Sequence, residues 1–414
     1  MKKIILLILF LQKINRATLL RQKTLLTYSL PENRHLKRLL GYTEDTYLNF
    51  TELATKYRYP SEEHTVITED GYVLKVFRIL SKCRTVSERL PIILMHGLFD
   101  SSDLWILSGP RTGLAYILAN NCYDVWVPNH RGNRYSRKHL TLDPNKDIEY
   151  WNFSFDEHGY FDIPAIINYV IEVTNKSKLF YVGHSQGTTD YYVAMSLRPE
   201  YNDRIQLSFH LAPVAWLKNI KSPIHKSIAE ITTEIKAVLD LLGVGEVFAR
   251  RQLSHIILEF FCQYAPQLVC GTGLTITTGF LKGTVSSRTL AVAFGHVLAG
   301  TSVKSLAHFG QLILSMKFHR YDEGKIGNLK KYGLKKPPEY NISKIVSPVF
   351  LICGQNDWLS SLKDVNELSS RLPNLIETYI VPEPYWGHNN YVWGLEAPEL
   401  IFKKILDYLK RYGK

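Results

Sequence analysis

The sequence has few cysteines and none of the short motifs that bind metals or nucleotides. Five cysteines in 414 residues fit an oxidising compartment with few disulfides. No Cys/His quartet has zinc spacing, and neither an H-E-x-x-H pair nor a P-loop occurs. The segment GVGEVF at 243–248 lacks the third glycine and the preceding strand of a dinucleotide-binding loop, so it predicts a helix break. We therefore expect no cofactor and no bound metal.

After its first residues the sequence has no run of eighteen apolar residues, so no membrane-spanning helix is expected there. The start, MKKIILLILFLQKINRA, has two lysines, the apolar run Ile4 to Leu11 and the small residue Ala17. This layout is typical of a secretory signal peptide, and an apolar run this short cannot cross about 30 Å of hydrocarbon. We predict a signal peptide at 1–17 and a basic segment at 18–48. The protein is then expected in the secretory pathway, outside the cell or in the lysosomal lumen.

Four N-x-S/T sequons support export, because this motif is the acceptor for N-linked glycans. They lie at Asn49, Asn152, Asn175 and Asn341. Among the cysteines, Cys262 and Cys270 enclose a short loop and are the pair expected to form a disulfide, which contributes about 2.5 kcal/mol by loop closure. The other three, Cys83, Cys122 and Cys353, are left unpaired.

Acidic residues are fewer than basic ones, 38 against 50, for a formal charge of +12. The surplus is concentrated at the two ends of the chain. A solvated positive surface and contact with an anionic lipid surface both fit this balance. Nucleic-acid binding is not expected, because no zinc finger, heptad basic region or aromatic RNA-binding motif occurs.

From about residue 65, short apolar strands alternate with longer helical stretches, which predicts an α/β protein with a mostly parallel central sheet covered on both faces. The predicted strands are rich in β-branched and aromatic residues. They lie at 73–80, 91–97, 124–129, 178–183, 205–212, 347–354 and 376–381.

This alternation stops between residues 214 and 342, where successive helical segments follow one another with no good strand. We predict that 214–342 is a helical cap. It is inserted between two parts of one core, which span 49–213 and 343–414. An insertion at the carboxyl edge of the strands covers the crevice where α/β enzymes bind ligands.

The segment Gly183-His184-Ser185-Gln186-Gly187 matches G-x-S-x-G, the nucleophile elbow. A strand, KLFYVG, leads into it and a helical stretch, TTDYYVAMSL, follows. Ser185 is predicted to adopt a strained turn in which strand and helix nearly touch, so Gly183 and Gly187 lack side chains. A surface serine in an ordinary glycine-flanked loop is the alternative.

A serine hydroxyl needs a base and an acid, in the chain order Ser, Asp, His. After His319 only one histidine remains, His388, in the loop that follows the last predicted strand. Asp357 comes directly after the strand SPVFLICG and is the expected acid. Asp364 is predicted to be a solvated helix residue, and Glu383 a surface carboxylate.

An acyl-transfer site also needs two backbone N–H groups for the oxyanion. Gln186, directly after the serine, supplies one, and Leu98, after the strand PIILMHG, is predicted to supply the other. His96 and His184 are interpreted as packing or hydrogen-bonding residues.

Five stretches in this order resemble the acid lipase family, which includes gastric and lysosomal acid lipases. They are HGLFDSSDLW, YDVWVPNHRGNRYSR, YWNFSFDEHGYFDIPA, YVGHSQGTT and AGTSVKSLAHFGQLI. The resemblance runs from about Asn49 almost to the end of the chain. It implies an α/β hydrolase with a helical cap and lid that acts on triglycerides or cholesteryl esters.

The resemblance assigns the same triad and oxyanion residues, and it places a disulfide at Cys262 and Cys270. The chain departs from the family pattern in two stretches close to the assigned residues. The family commonly has N-S-R-G-N where this chain has Asn129-His130-Arg131-Gly132-Asn133, and the loop PYWGHNN differs from that of the mammalian relatives.

The functional hypothesis is a serine lipase that hydrolyses neutral-lipid esters at a lipid–water interface through an acyl-enzyme. Two alternatives stay open: a carboxylesterase for small soluble esters, and a hydrolase-fold binding protein without catalysis.

Overall fold

An eight-stranded sheet forms the centre of the computed structural model, which describes residues 33–81, 83, 89–249 and 253–413. The predicted signal peptide and residues 18–32 of the predicted basic segment lie outside these ranges. Ten strands occur among the described residues: β1 Ser61–Ile67, β2 Val73–Ile79, β3 Ile92–Met95, β4 Val125–Pro128, β5 Leu179–His184, β6 Ile205–Leu211, β7 Glu246–Val247, β8 Thr301–Ser302, β9 Val349–Cys353 and β10 Leu375–Ile380.

The large sheet has the strand order β1-β2-β4-β3-β5-β6-β9-β10. Neighbouring strands from β4 to β10 pair in parallel, while β2 pairs antiparallel with both β1 and β4. The seven strands expected from the sequence are present within two residues at each end. The first strand, β1, was not expected. The strand order reverses at β3, and ligand crevices of α/β sheets form at such a switch point.

Helices cover both faces of this sheet. The α-helices are α1 Arg34–Leu39, α2 Phe50–Lys56, α3 Leu114–Asn120, α4 Phe155–Glu157, α5 Ile163–Thr174, α6 Gln186–Leu197, α7 Pro223–Ala229, α8 Thr232–Leu241, α9 Leu253–Tyr264, α10 Thr272–Thr278, α11 Ser287–Ala293, α12 Val303–Ser315, α13 Gly324–Tyr332, α14 Leu362–Arg371, α15 Asn390–Trp393 and α16 Lys403–Tyr412.

Short 3₁₀ and π turns complete the helical part. They span Glu44–Thr46, Ser102–Trp105, Ile148–Trp151, His158–Asp162, Pro199–Arg204, Gln267–Gly271, Ile342–Lys344 and Pro398–Phe402. In the part of the chain that the structure describes, no helix combines the length and the apolar character needed to cross a membrane.

The central strands are buried on both sides, which explains their unbroken apolar sequences. In β3, Ile92 and Leu94 belong to one hydrophobic cluster, while Ile93 and Met95 belong to the cluster on the other face. Successive strand residues point to opposite faces, so one short strand contributes side chains to both hydrophobic clusters.

Residues 214–342 leave the sheet after β6 and return to it before β9. They contain the helices α7 to α13. The described residues of this segment depart from the helical expectation in the two-residue ladder of β7 and β8, where Glu246 pairs with Ser302 and Val247 with Thr301, and in a single bridge between His319 and Glu339. The predicted helix break near 243 corresponds to Gly243, which has a φ of 66° just after α8.

A buried arginine joins the loop after β4 to the N-terminal end of α5. The guanidinium of Arg131 donates hydrogen bonds to Asp162, at 2.6 and 2.8 Å, and to Asp70, at 2.5 and 2.8 Å. Both Arg131 and Asp162 are buried. Burial raises the pKa of Asp162 to about 6, although Arg131 opposes that rise.

We expect Arg131→Met to lower the free energy of unfolding by about 3–5 kcal/mol, because it leaves the carboxyl of Asp162 buried without its cation. The loss should be larger at pH 8 than at pH 5, since at pH 5 the stranded carboxyl is protonated. Urea unfolding at both pH values measures this. Arg371→Met, which removes an exposed i,i+4 pair with Glu367, should cost less than about 1 kcal/mol. Equal losses for the two variants would contradict the prediction.

Candidate active site

The turn between β5 and α6 contains Ser185 in a strained backbone conformation. Its φ is 53° and its ψ is −119°, a region that residues with a side chain rarely adopt. Its N–H donates to the carbonyl oxygen of Leu211 at 3.0 Å, which ties the turn to the end of β6. The side chain is therefore held at the carboxyl edge of the sheet, as expected of a nucleophile elbow.

Backbone from three elements crowds the two glycines that flank this turn. A Cβ added to Gly187 would lie 2.5 Å from the carbonyl oxygen of Met95 and 2.9 Å from that of His96. A Cβ added to Gly183 would lie 2.8 Å from the carbonyl of Gly187. All three distances are too short for a real contact, so β3, β5 and α6 reach this proximity only without side chains at these positions.

Three side chains from separate parts of the chain form a hydrogen-bonded line at this edge. Nε2 of His388 lies 2.8 Å from Oγ of Ser185, and its Nδ1 lies 2.9 Å from Oδ2 of Asp357. Asp357 is fully buried, and His388 is buried as well. The three residues selected from the sequence as nucleophile, base and acid are thus brought together in hydrogen-bonding order.

Asp357 lies in the loop after β9, and its carboxylate is held by backbone as well as by His388. Its Oδ1 accepts hydrogen bonds from the N–H groups of Leu359, at 2.9 Å, and Ser360, at 2.8 Å. These bonds fix the orientation of the carboxylate, which in turn orients the imidazole.

The prediction that Asp364 is solvated is wrong. This residue lies in the first turn of α14 but is buried, with 4 % of its surface exposed. Its two oxygens accept hydrogen bonds from the backbone and side-chain amides of Asn219, at 2.9 and 2.7 Å. It holds the start of the 214–342 segment to the core. Glu383 is partly exposed and accepts from the N–H of Tyr385.

His184 supports the loop that carries His388. Its Nε2 donates to the carbonyl oxygen of His388 at 2.9 Å. Burial and the neighbouring His388 lower the pKa of His184 to about 3, so the ring is neutral and its Nδ1 carries no proton. His96 is buried below, where its Nε2 accepts from the N–H of His130 at 3.2 Å. Both histidines act as packing and hydrogen-bonding residues.

The end of α10 contacts both the loop of Asp357 and the loop of His388. The carbonyl oxygen of Thr278 accepts from the N–H of Trp358 at 3.3 Å, and its hydroxyl accepts from the side chain of Asn389 at 3.1 Å. The next carbonyl, of Gly279, accepts from the side chain of Asn356 at 2.5 Å. A segment of the 214–342 insertion thereby bridges the residues next to Asp357 and those next to His388.

The two backbone N–H groups expected to stabilise an oxyanion lie on either side of Ser185. Gln186 is the first residue of α6, where N–H groups lack intrahelical acceptors. Leu98 lies in the loop after β3 and lines the same cavity as Ser185. Within the described part of the chain, neither N–H has a hydrogen-bond acceptor. Both groups are available to a ligand.

A cavity of about 350 Å³ opens above the serine, between the sheet edge and the 214–342 segment. Most of its wall is apolar, as in sites that bury an acyl or alkyl chain. Polar groups are limited mainly to the vicinity of the serine. The wall includes Val214, Leu217, Leu258, Leu274, Phe294, Ile313 and Trp393.

A buried histidine–aspartate cluster lies beneath α6. Nε2 of His130 is 2.6 Å from Asp190, and the side chain of Gln186 donates to Nδ1 of His158 at 2.9 Å. The three ligand-type atoms of His130, His158 and Asp190 lie within 4.8 Å of one another. However, the two imidazole rings are stacked at 7°, so they cannot both direct a lone pair at one ion. The cluster does not fit a metal site.

Two disulfides occur among the described residues. Cys262 and Cys270 are bonded at the end of α9, and Cys83 is bonded to Cys122. The second bond corrects the sequence analysis, which left Cys83 and Cys122 over; the two cysteines are 39 positions apart. Cys353 is free and buried in β9.

Sequence reasoning missed five polar residues of the cavity wall: Asp100, His225, Thr277, Thr278 and Asn389. Asp100 belongs to the quoted stretch HGLFDSSDLW, so its position just after the oxyanion loop was a usable signal. His225 and Thr278 lie in the inserted segment, where the sequence has no motif to mark them.

Two family profiles match the chain. The family described as partial alpha/beta-hydrolase lipase region matches residues 50–109, and the one described as alpha/beta hydrolase fold matches residues 91–207.

Three curated relatives are similar over most of their length. Lipase member M of Homo sapiens is 36% identical over 372 residues, 89% of this chain and 86% of the relative. Lysosomal acid lipase/cholesteryl ester hydrolase of Homo sapiens is 34% identical, covering 91% of this chain and 94% of the relative. Gastric triacylglycerol lipase of Mus musculus is 36% identical, covering 87% of this chain and 91% of the relative.

We expect Gly187→Ala to disable the serine, because the added methyl group forces β3 and α6 apart. Labelling of Ser185 by a fluorophosphonate probe should slow by about 100-fold, and unfolding should become easier by about 1–3 kcal/mol. Gly273→Ala in α10 is the matched control, since a Cβ there meets nothing within 4 Å. If Gly187→Ala labels as fast as this control, the crowding does not position the nucleophile.

Proposed function

This chain belongs to the acid lipase family, and from that membership we propose that Ser185 is the nucleophile with which it cleaves the esters of triacylglycerols and cholesteryl esters. The chain is an ester hydrolase, a lipase of neutral lipids. The observation that carries the assignment to Ser185 is the hydrogen-bonded line from its Oγ through His388 to Asp357.

In the first half-reaction, His388 accepts the proton of Ser185 through Nε2 as Oγ attacks the ester carbonyl. Asp357 accepts from Nδ1–H of His388, which keeps the proton-accepting nitrogen directed at the serine. The N–H groups of Leu98 and Gln186 stabilise the oxyanion. His388 then protonates the departing alcohol, and an acyl-enzyme remains on Ser185.

In the second half-reaction, water replaces the alcohol. His388 takes a proton from this water, which attacks the acyl group, and Ser185 regains its proton as the fatty acid leaves. The apolar wall of the cavity suits a long acyl chain, because burying each methylene group contributes about 0.8 kcal/mol.

We propose that the inserted segment 214–342 is a cap that meets lipid surfaces. More than half of the exposed large apolar side chains of the described residues lie in it. Four of them, Ile257, Phe261, Tyr264 and Leu268, recur at helical spacing along α9 and the turn that follows, and we call them the apolar stripe. A continuous exposed apolar stripe is typical of an interaction surface.

We further propose a route through the secretory pathway to the cell exterior or the lysosomal lumen. Two disulfides support an oxidising compartment. Among the sequons, Asn175 is exposed at the C-terminal end of α5, in a left-handed conformation. The side chains of Asn49, Asn152 and Asn341 accept hydrogen bonds within the protein.

Ser185→Ala should reduce the hydrolysis of emulsified triolein and cholesteryl oleate by about a million-fold. Fatty-acid release at pH 5 and pH 7 measures this. Ser370→Ala, which changes an exposed serine in α14, is the control and should retain full activity. More than trace turnover by Ser185→Ala would show that the assignment of the nucleophile is wrong.

Replacing two members of the apolar stripe, in Phe261→Ser/Leu268→Ser, should lower the rate on emulsified triolein by on the order of tenfold, because less apolar surface enters the interface. The rate on dissolved p-nitrophenyl butyrate should change less than about twofold, since the chemistry at Ser185 is untouched. Leu140→Ser replaces a similarly exposed leucine that lies outside the inserted segment. This control should affect neither rate. Equal losses on both substrates would favour an esterase for small soluble esters.

A further inference from the structure

An acidic side chain outside the catalytic triad lies in the active-site cavity. Asp100 lines this cavity together with Ser185 and His388. It ends a tight turn that starts at Gly97, where the N–H of Asp100 donates to the carbonyl oxygen of Gly97 at 3.3 Å. Phe99, inside the turn, has a φ of 66°, which is a strained value for a residue with a side chain. The chain thus bends sharply at the point where Asp100 enters the cavity.

The carboxyl group lies next to the nucleophile. A methyl group placed on Gly97 would lie 3.3 Å from Oδ2 of Asp100, 3.2 Å from Cβ of Ser185 and 3.3 Å from Nδ1 of His184. The three groups therefore surround one small volume beside Gly97, at the wall of the cavity. Leu98, whose N–H is assigned to the oxyanion, lies in the same turn.

Nothing in the described part of the chain pairs with this carboxyl group. Among the described residues it has neither a hydrogen-bond donor nor a cation within reach, and none of the lysines and arginines in the described ranges lines the cavity. Asp103, on the same loop, is by contrast paired with Arg134 at 2.8 Å and with His296 at 2.8 Å. An acid without a partner, directed into a substrate cavity, has its hydrogen-bonding capacity free for the substrate.

Burial raises the pKa of Asp100 to about 7. The titratable groups that face it are histidines from three other elements: His184 at the end of β5, His225 on α7 and His388 in the loop after β10. Burial lowers the pKa of His184 to about 3 and that of His225 to about 4. Both rings are therefore uncharged at pH 5 to 8, where Asp100 changes from acid to carboxylate.

We propose that Asp100 is a further catalytic residue, whose protonated carboxyl donates a hydrogen bond to the carbonyl oxygen of the ester as that oxygen becomes the oxyanion. This inference rests on the proposed ester hydrolysis at Ser185. Asp100 acts beside the N–H groups of Leu98 and Gln186 and keeps its proton throughout the step. The bond is strongest when the oxygen is negative, so it lowers the barrier rather than tightening substrate binding.

Ionisation of Asp100 reverses its effect. Above a pH of about 7 the carboxylate cannot donate, and its negative charge lies close to the developing oxyanion, which raises the barrier. The rate of acyl transfer should therefore be high in weak acid and fall as Asp100 loses its proton. The site itself then favours acidic conditions without any change in the triad.

The test compares Asp100→Asn and Asp100→Leu with the unchanged protein by kcat and KM on p-nitrophenyl butyrate from pH 4.5 to 9. Asparagine donates a hydrogen bond but does not titrate. We expect Asp100→Asn to remain within about threefold of the unchanged enzyme at pH 5 and to exceed it above pH 8. Asp100→Leu removes the donor, so its kcat should fall about 100-fold at pH 5 with little change in KM.

Asp203→Asn, which neutralises an exposed aspartate, is the matched control and should leave the pH profile unchanged. A merely structural role predicts equal losses in Asp100→Asn and Asp100→Leu at every pH, and that result overturns the proposal. An alkaline decline that persists at the same midpoint in Asp100→Asn also overturns it. If Asp100→Leu does not fold, the profile of Asp100→Asn alone decides. If the unchanged protein hydrolyses no ester at any pH, the proposed function itself is wrong. If the unchanged protein is active but the Asp100 variants behave as described above, only the proposed role of Asp100 is wrong.

Discussion

The close approach of β3, β5 and α6 at Ser185 is the constraint on which the whole site depends. Carbonyl oxygens of β3 lie where a side chain at Gly187 would be, so the nucleophile and the loop after β3 are placed by one contact. That contact sets the serine against the N–H groups of Leu98 and Gln186, and against Asp100. The triad histidine and aspartate come from more distant parts of the chain, yet they only have to reach an edge whose position is already determined.

The inner strands and the three residues of the hydrogen-bonded line could be selected from the sequence, because strands buried on both faces have unbroken apolar segments and functional side chains of α/β proteins follow the carboxyl ends of strands. The edge strand β1 escaped detection because its sequence, SEEHTVI, is mostly polar and it pairs on one side only. The bond between Cys83 and Cys122 and the burial of Asp364 depend on partners far away in the sequence. No local pattern marks such contacts, and the same holds for His225 and Thr278 in the inserted segment.

Buried histidines and buried carboxyls affect folding in opposite directions as the pH changes. Burial lowers the pKa of His130 to about 3 and that of His158 to about 4. These two groups therefore lower the free energy of unfolding as the pH falls below about 6.5. Burial raises the pKa of Asp190 and Asp162 to about 6. These two groups therefore lower the free energy of unfolding as the pH rises above about 4. Between these limits the contributions of these four groups change in opposite directions with pH.

The bridge from Thr278 and Gly279 to the loops of Asp357 and His388 makes the inserted segment part of the support of these two loops. Gly279 has a φ of 80°, and a Cβ there would lie 2.2 Å from the carbonyl oxygen of Asn356, so this end of α10 is locked to the core. The inserted segment is therefore held to the core at this point as well as at its two ends, after β6 and before β9. A displacement of this end of α10 would break the hydrogen bonds to the residues beside Asp357 and to those beside His388 together, so the two loops share one support.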